Sequence, residues 1–209
     1  MTRKTLQRIV RFLIKTITHT TYIDSQNVPQ EGGVIIALNH LSYADTLVLL
    51  VNPVRSDLTA LVTTKYKERP FVRWFTDTAE GIWINRDIAD FTAVRRAAHA
   101  LANGRALGVA PEGTRSKTAK LQAGKPGTIM LAMKSGAPIV PVGLSGTETV
   151  FSKLRKFRKP EITVRFGEAF HIPEFSPGKR SAELKRWTEI LMKHIADLLP
   201  ESYRGVYSD

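Results

Sequence analysis

The sequence predicts an α/β protein: a single domain in which a largely parallel sheet is sandwiched between helices, with a basic amphipathic helix at its N-terminal end. Three observations carry this expectation. Short apolar runs alternate with segments of helical periodicity, the pattern of strands joined by helical crossovers. The 209 residues are 43% hydrophobic and 8% aromatic, enough for one buried core. No internal repeat, low-complexity tract or linker interrupts the alternation. The expected division is a helical segment at 1–22 and the main domain at 23–209.

The elements follow in order. Within 4–18, Leu6, Ile9, Val10, Leu13, Ile14 and Ile17 recur at three-and-four spacing, with Lys4, Arg8, Arg11 and Lys15 on the opposite face. Such a helix suits an anionic membrane surface; the alternative is a helix packed on its own domain with a solvated basic face. Residues 33–38 form a continuous apolar run, as in a strand buried on both faces. Further strands are expected at 58–63, 81–84, 106–110, 139–144 and 162–166, and helices at 44–51, 66–75, 88–103 and 125–135. The helix at 88–103 would present Phe91, Val94, Ala98 and Leu101 to the core and end at Asn103-Gly104, a C-cap signal. A last helix at 182–199 places Leu184, Trp187, Leu191, Ile195 and Leu198 on one face.

Charge and composition narrow the function. The formal charge is +12, which suggests an anionic partner. Most of the excess lies in two acid-free stretches: residues 1–20, and residues 151–160 with Lys153, Arg155, Lys156, Arg158 and Lys159. These runs lack the interleaved aromatic platform that favours single-stranded nucleic acid, so no nucleic-acid partner is expected. Cysteine is absent, which excludes disulfides, a thiolate nucleophile and Cys-ligated metals. No metal-ligand cluster stands out. The longest uncharged runs, 32–44 and 135–147, reach 13 residues, against about 20 for a spanning helix. The basic N-terminus lacks a signal-peptide core. A peripheral protein on the cytoplasmic face of a membrane is the expectation.

Four segments could carry chemistry. Of His19, His40, His99, His171 and His194, only His40 directly follows a buried strand, where sites of open α/β sheets gather. Asp45 lies five residues on, so a turn could bring its carboxylate to one imidazole nitrogen and leave the other as a base. By spacing alone the signal is weak, and a structural histidine with an N-capping aspartate is the plainer reading. In the second segment, residues 111–116, Gly113 permits a sharp turn and Arg115 offers a planar fork for phosphate or carboxylate. Glu112 could hold that guanidinium or bond a substrate hydroxyl; the plainer reading is a surface turn with a local ion pair. The third segment, 81–86, ends in Arg86, which could clamp an anion together with Arg115 or simply be solvated. In the fourth, 137–142, prolines bracket a strand and would shape a pocket wall or sheet edge.

In this order the segments resemble the 1-acylglycerol-3-phosphate acyltransferase family of glycerolipid acyltransferases. Asn39-His40-Leu41-Ser42-Tyr43-Ala44-Asp45 is similar to its Asn-His-x-Ser-x-x-Asp block, and Pro111-Glu112-Gly113-Thr114-Arg115-Ser116 to its third block. Gly81 to Arg86 resembles the second, and Val140-Pro141-Val142 lies in the fourth. The resemblance spans roughly residues 30–170. Lys125 and Gly127 resemble a Lys–Gly pair that follows the third block, whereas Gly124 stands where an aromatic is frequent. The resemblance implies acyl transfer from acyl-CoA or acyl carrier protein, as donor substrate rather than cofactor, to lysophosphatidic acid, giving phosphatidic acid. Another lysolipid or polar acceptor, or a non-catalytic basic membrane-binding module, is the alternative. The implied base is His40, oriented by Asp45. Arg86, Glu112, Gly113, Thr114, Arg115 and Lys125 would hold the acceptor.

Overall fold

The computed structural model describes residues 1–176 and 178–208; the expected domain's Pro177 and Asp209 lie outside them. Seven strands form one sheet in the order β1-β7-β6-β2-β5-β3-β4. They are β1 (His19–Ile23), β2 (Val34–Leu38), β3 (Thr59–Thr63), β4 (Ile82–Ile84), β5 (Ala106–Val109), β6 (Ile139–Ser145) and β7 (Glu161–Phe166). Every pairing is parallel except β6 with β7. The expected sandwich is therefore present.

Its centre is β2, whose five residues are all buried. Val34, Ile36 and Leu38 point into one core, shared with helices α1 (Arg3–Ile17) and α2 (Ala44–Leu50). Ile35 and Ala37 point into the other, shared with α4 (Phe91–Ala102), α5 (Gly127–Ser135) and α7 (Arg180–Asp197). A strand covered on both faces has no polar side to alternate, hence the unbroken apolar run. The two remaining helices, α3 (Pro70–Thr78) and α6 (Val150–Leu154), are short. No helix among the described residues is long and apolar enough to cross a membrane.

Four expectations need correction. The boundary at 22/23 falls inside β1, which pairs with β7 along its whole length. That strand is short and only partly covered, so it left no apolar run to read. The helix before it is not a separate unit. Leu6, Val10 and Ile14 are buried, and Gln7 donates to Leu50 O (3.3 Å) and Ser56 O (2.7 Å). What remains outside is a basic stripe of Lys4, Arg8, Arg11 and Lys15, flanked by exposed Ile9, Phe12 and Leu13. Third, α4 turns its alanines inward: Ala93, Ala97, Ala100 and Leu101 are buried, while Phe91 is 75% exposed. Small side chains let this helix approach the sheet closely. Its N-cap is Asp90, which accepts from Ala93 N at 2.9 Å. Finally, Pro141 sits within β6, between β2 and β7, not at an edge. Its carbonyl accepts from Gly167 N (2.8 Å), one residue beyond the β7 ladder. The missing N–H faces that same side, at the end of the β7 ladder, so the proline costs at most the last bond of that pairing.

Candidate active site

The site forms where β2 ends. The side chain of Asn39 continues the ladder past the last strand residue, donating from Nδ2 to Leu144 O (2.9 Å) and accepting from Leu144 N (2.8 Å). This ties the turn after β2 to β6. The next residue is His40, whose Nδ1 lies 2.7 Å from Asp45 Oδ2. The same oxygen accepts from the backbone N–H groups of Leu41 (2.7 Å) and Ser42 (3.0 Å). Asp45, in the first turn of α2, thus braces the turn that leads into the helix and orients the histidine together. Its side chain is 2% exposed, against 21% for His40. With Nδ1 engaged, Nε2 is the nitrogen left for a proton transfer.

A second buried carboxylate fixes the turn from the other side. Glu112 is 2% exposed. Its Oε1 accepts from His40 N (2.8 Å), and its Oε2 from Gln122 N (3.0 Å) and Gln122 Nε2 (3.3 Å). His40 O in turn accepts from Ser116 N at 2.8 Å. Burial pushes the Glu112 carboxyl above its ordinary range, partly opposed by the N–H groups of His40 and Gln122. The expected contact of Glu112 with the Arg115 guanidinium is not what its oxygens make. They fasten the backbone of the histidine.

His40 and Asp45 open into a cleft of about 480 Å³. Its walls are mostly apolar, with Leu38, Leu49, Leu58, Leu61, Ile84, Val94, Ala97 and Leu131 among them. Arg86, Gly113 and Lys125 also line it, so the structure brings these three expected residues to the dyad. Arg86 donates from Nη1 to Gly113 O. Gly113 has φ +72°, a left-handed turn that glycine makes without strain, and a Cβ there would lie 3.1 Å from Lys125 Cδ. Thr114 is exposed and lies outside the cleft lining.

Arg115 is held elsewhere. Its Nη2 donates to Tyr66 OH (2.8 Å) and Tyr43 OH (3.1 Å), and its guanidinium lies 3.8 Å from the centroid of the Tyr43 ring. The expected two-arginine clamp is therefore absent here: Arg86 faces the cleft and Arg115 is stacked beside it. Tyr43 belongs to the segment that carries His40, but nothing in the sequence marked Tyr66 as its companion. Gly124, which departs from the resemblance, has a packing reason. A Cβ at that position would come within 2.6 Å of Met192 Cγ and 2.9 Å of Thr188 Cγ2 on α7, so no aromatic side chain fits.

Comparison with known proteins bears on the family and the fold. An acyltransferase family model matches residues 19–145, which begins at β1 and ends with β6. A curated 1-acyl-sn-glycerol-3-phosphate acyltransferase of Borreliella burgdorferi is 31% identical over 131 residues, 62% of this chain and 52% of that protein. The chain therefore matches about half the length of that relative. A protein of the same name from Bacillus subtilis is 23% identical over 176 residues, 84% of this chain and 85% of that one. The crystal structure of the 1-acyl-sn-glycerophosphate acyltransferase of Thermotoga maritima superposes with a TM-score of 0.68, covering 94% of this chain and 79% of that one at 23% identity; it shares the fold. With its family model spanning more than half of its residues, this chain belongs to the acyltransferase family.

Proposed function

We propose that the protein transfers a fatty acyl group from a thioester donor, acyl-CoA or acyl carrier protein, to the free hydroxyl of 1-acylglycerol-3-phosphate. The observation that carries this reading is the His40–Asp45 pair, 2.7 Å apart, lining an apolar cleft that also holds Arg86 and Lys125. A base beside an apolar channel and two cations matches a molecule with a reactive hydroxyl, an alkyl chain and a phosphate.

The proposed chemistry is direct transfer. His40 Nε2 takes the acceptor's hydroxyl proton as its oxygen attacks the thioester carbonyl. Asp45 stabilises the imidazolium that forms. As the tetrahedral intermediate collapses, the C–S bond breaks, and the imidazolium returns its proton to the departing thiolate. The apolar walls would receive an alkyl chain, and Arg86 with Lys125 would hold the phosphate. The acceptor and product are anionic amphiphiles, so the exposed basic stripe of α1 would seat the protein peripherally on an anionic bilayer.

The test is mass spectrometry of products from a panel of lysolipids and glycerol phosphate, each with acyl-CoA and with acyl carrier protein. Lysophosphatidic acid should give phosphatidic acid. His40→Ala, with its fold checked by circular dichroism, should lose about 10²- to 10⁴-fold in rate. Activity within about threefold of the parent would sink the mechanism. Turnover that ignores the acceptor's phosphate would point instead to another lysolipid or polar acceptor.

A further inference from the structure

Asp45 has a partner that lies far from it in sequence. Its Oδ1 accepts a hydrogen bond from Thr147 Oγ1. Thr147 is 0% exposed and sits in the short turn after β6, which begins at Gly146. That turn is built to one conformation. Gly146 has φ +89°, and a Cβ there would lie 2.0 Å from Glu161 O, so no other residue fits. Thr149 Oγ1 donates back to Gly146 O (2.7 Å), and Tyr203 OH donates to Glu148 Oε1 (2.7 Å), closing the turn from two sides.

Donor arithmetic singles out Thr147. Ser42 Oγ also approaches Asp45 Oδ1, at 3.5 Å, but it lies 3.0 Å from Thr147 O. A hydroxyl has one proton to give, and the shorter contact takes it. Thr147 therefore provides the short side-chain donor to Oδ1, while Oδ2 is taken by His40, Leu41 N and Ser42 N. A buried carboxylate with one oxygen unpartnered is costly, and it can relieve the cost by rotating away from the histidine.

We infer that Thr147 is a positioning residue for the catalytic pair: its hydroxyl fixes the carboxylate plane of Asp45 so that Oδ2 meets His40 Nδ1. The inference rests on the acyl-transfer reading for its kinetic consequence, but not for its geometric one. Thr147 touches no reacting atom. It acts through Asp45, from a strand end that the sheet order alone brings beside β2.

The experiment uses three single variants, Thr147→Val, Thr147→Ser and Asp45→Asn, and the double variant Asp45→Asn/Thr147→Val. Two readouts are needed: steady-state kinetics with lysophosphatidic acid and acyl-CoA, and the proton NMR resonance of the His40 Nδ1–H. Valine keeps the shape and removes the donor. Thr147→Val should lower kcat by about 10- to 100-fold, the range for a hydrogen bond to a charged group, with KM within about twofold. Its Nδ1–H resonance should move from the parent position. Thr147→Ser should restore both readouts, which a mere packing role for the threonine methyl would not allow. Added to Asp45→Asn, the valine should have no further effect on kcat. An unmoved resonance together with near-parental kcat in Thr147→Val overturns the inference, as does full additivity in the double variant. If the parent transfers no acyl group to any acceptor, the acyl-transfer reading fails alone. The resonance then still decides Thr147, a shift upholding its role and constancy removing it.

Discussion

The acids and the cations of the site are treated in opposite ways. Asp45 and Glu112 are both about fully buried, and their oxygens are engaged by backbone N–H groups, an amide, a hydroxyl and one imidazole. Arg86, Arg115 and Lys125 have no carboxylate partner among the described residues. Arginines away from the site do: Arg55 pairs with Asp57 at 2.7 Å, and Arg105 with Glu80 at 2.8 Å. The difference teaches what each set is for. Saturated acids hold geometry and project little charge outward, whereas cations without counter-charges leave a positive field for an anion to enter. The exposed stripe of α1 is the extreme of the second kind, with four cations and no acid in the helix.

That stripe offers the largest break in the contrast. Each basic residue near an anionic bilayer contributes about 1 kcal/mol, screened as salt rises. Replacing Lys4, Arg8, Arg11 and Lys15 by Gln should therefore weaken vesicle binding by up to about 4 kcal/mol at low salt. Exposed Ile9, Phe12 and Leu13 should leave a residual, salt-insensitive part. Co-sedimentation with neutral and anionic vesicles, at low and high salt, reads this directly. Equal binding to both vesicle types, or no change in the Gln variant, would mean that these cations are solvated and idle. Activity on a soluble short-chain acceptor should be spared.

Within the site the contrast sharpens between two arginines. Arg86 lines the cleft, whereas Arg115 is occupied by two phenols. Arg86→Ala should lower kcat/KM for a phosphorylated acceptor by about tenfold or more, roughly 1.4 kcal/mol. Arg115→Ala should cost less, because its loss removes a support for Tyr43 and not a wall of the cleft. Equal losses would show that Arg115 leaves its tyrosines when substrate binds.

What could be read beforehand follows from how far apart the partners lie. His40 and Asp45 fall within one segment, so a single turn joins them and the spacing was informative. The buried strands were legible for a similar local reason, since a strand such as β2 carries its own signal of burial on both faces. Thr147 reaches Asp45 from 102 residues beyond it, and Gln122 reaches Glu112, which holds the His40 backbone, from 10 residues beyond. Only the adjacency of β6 and β2, which no local pattern encodes, brings Thr147 there. The arginine clamp failed for a different reason. Strand-end placement fixes where a guanidinium starts but not which aromatic captures it, and Tyr66 comes from the turn after β3.

The smallest expected effect concerns Glu112, where the saturation of the acids can be tested by pH. Burial raises its folded carboxyl above the usual value of 4.5, so the folded state binds that proton more tightly than the unfolded chain. The sign follows from linkage: the associated stability is fully present below the unfolded pKa and is lost as pH rises through the folded one. Glu112→Gln removes this titration. Its amide oxygen can still accept from His40 N, but its NH₂ would face the N–H of Gln122, donor against donor. The variant should therefore be less stable than the parent below about pH 4.5, with a gap that narrows as pH rises through the raised value. The narrowing is about 1.4 kcal/mol for each tenfold difference in proton affinity between the two states. Urea unfolding of both proteins across this range measures the gap. A gap that stays constant would mean the N–H donors fully offset burial, and one that widens would mean they outweigh it, which would make Glu112 a carboxylate stabilised by its site.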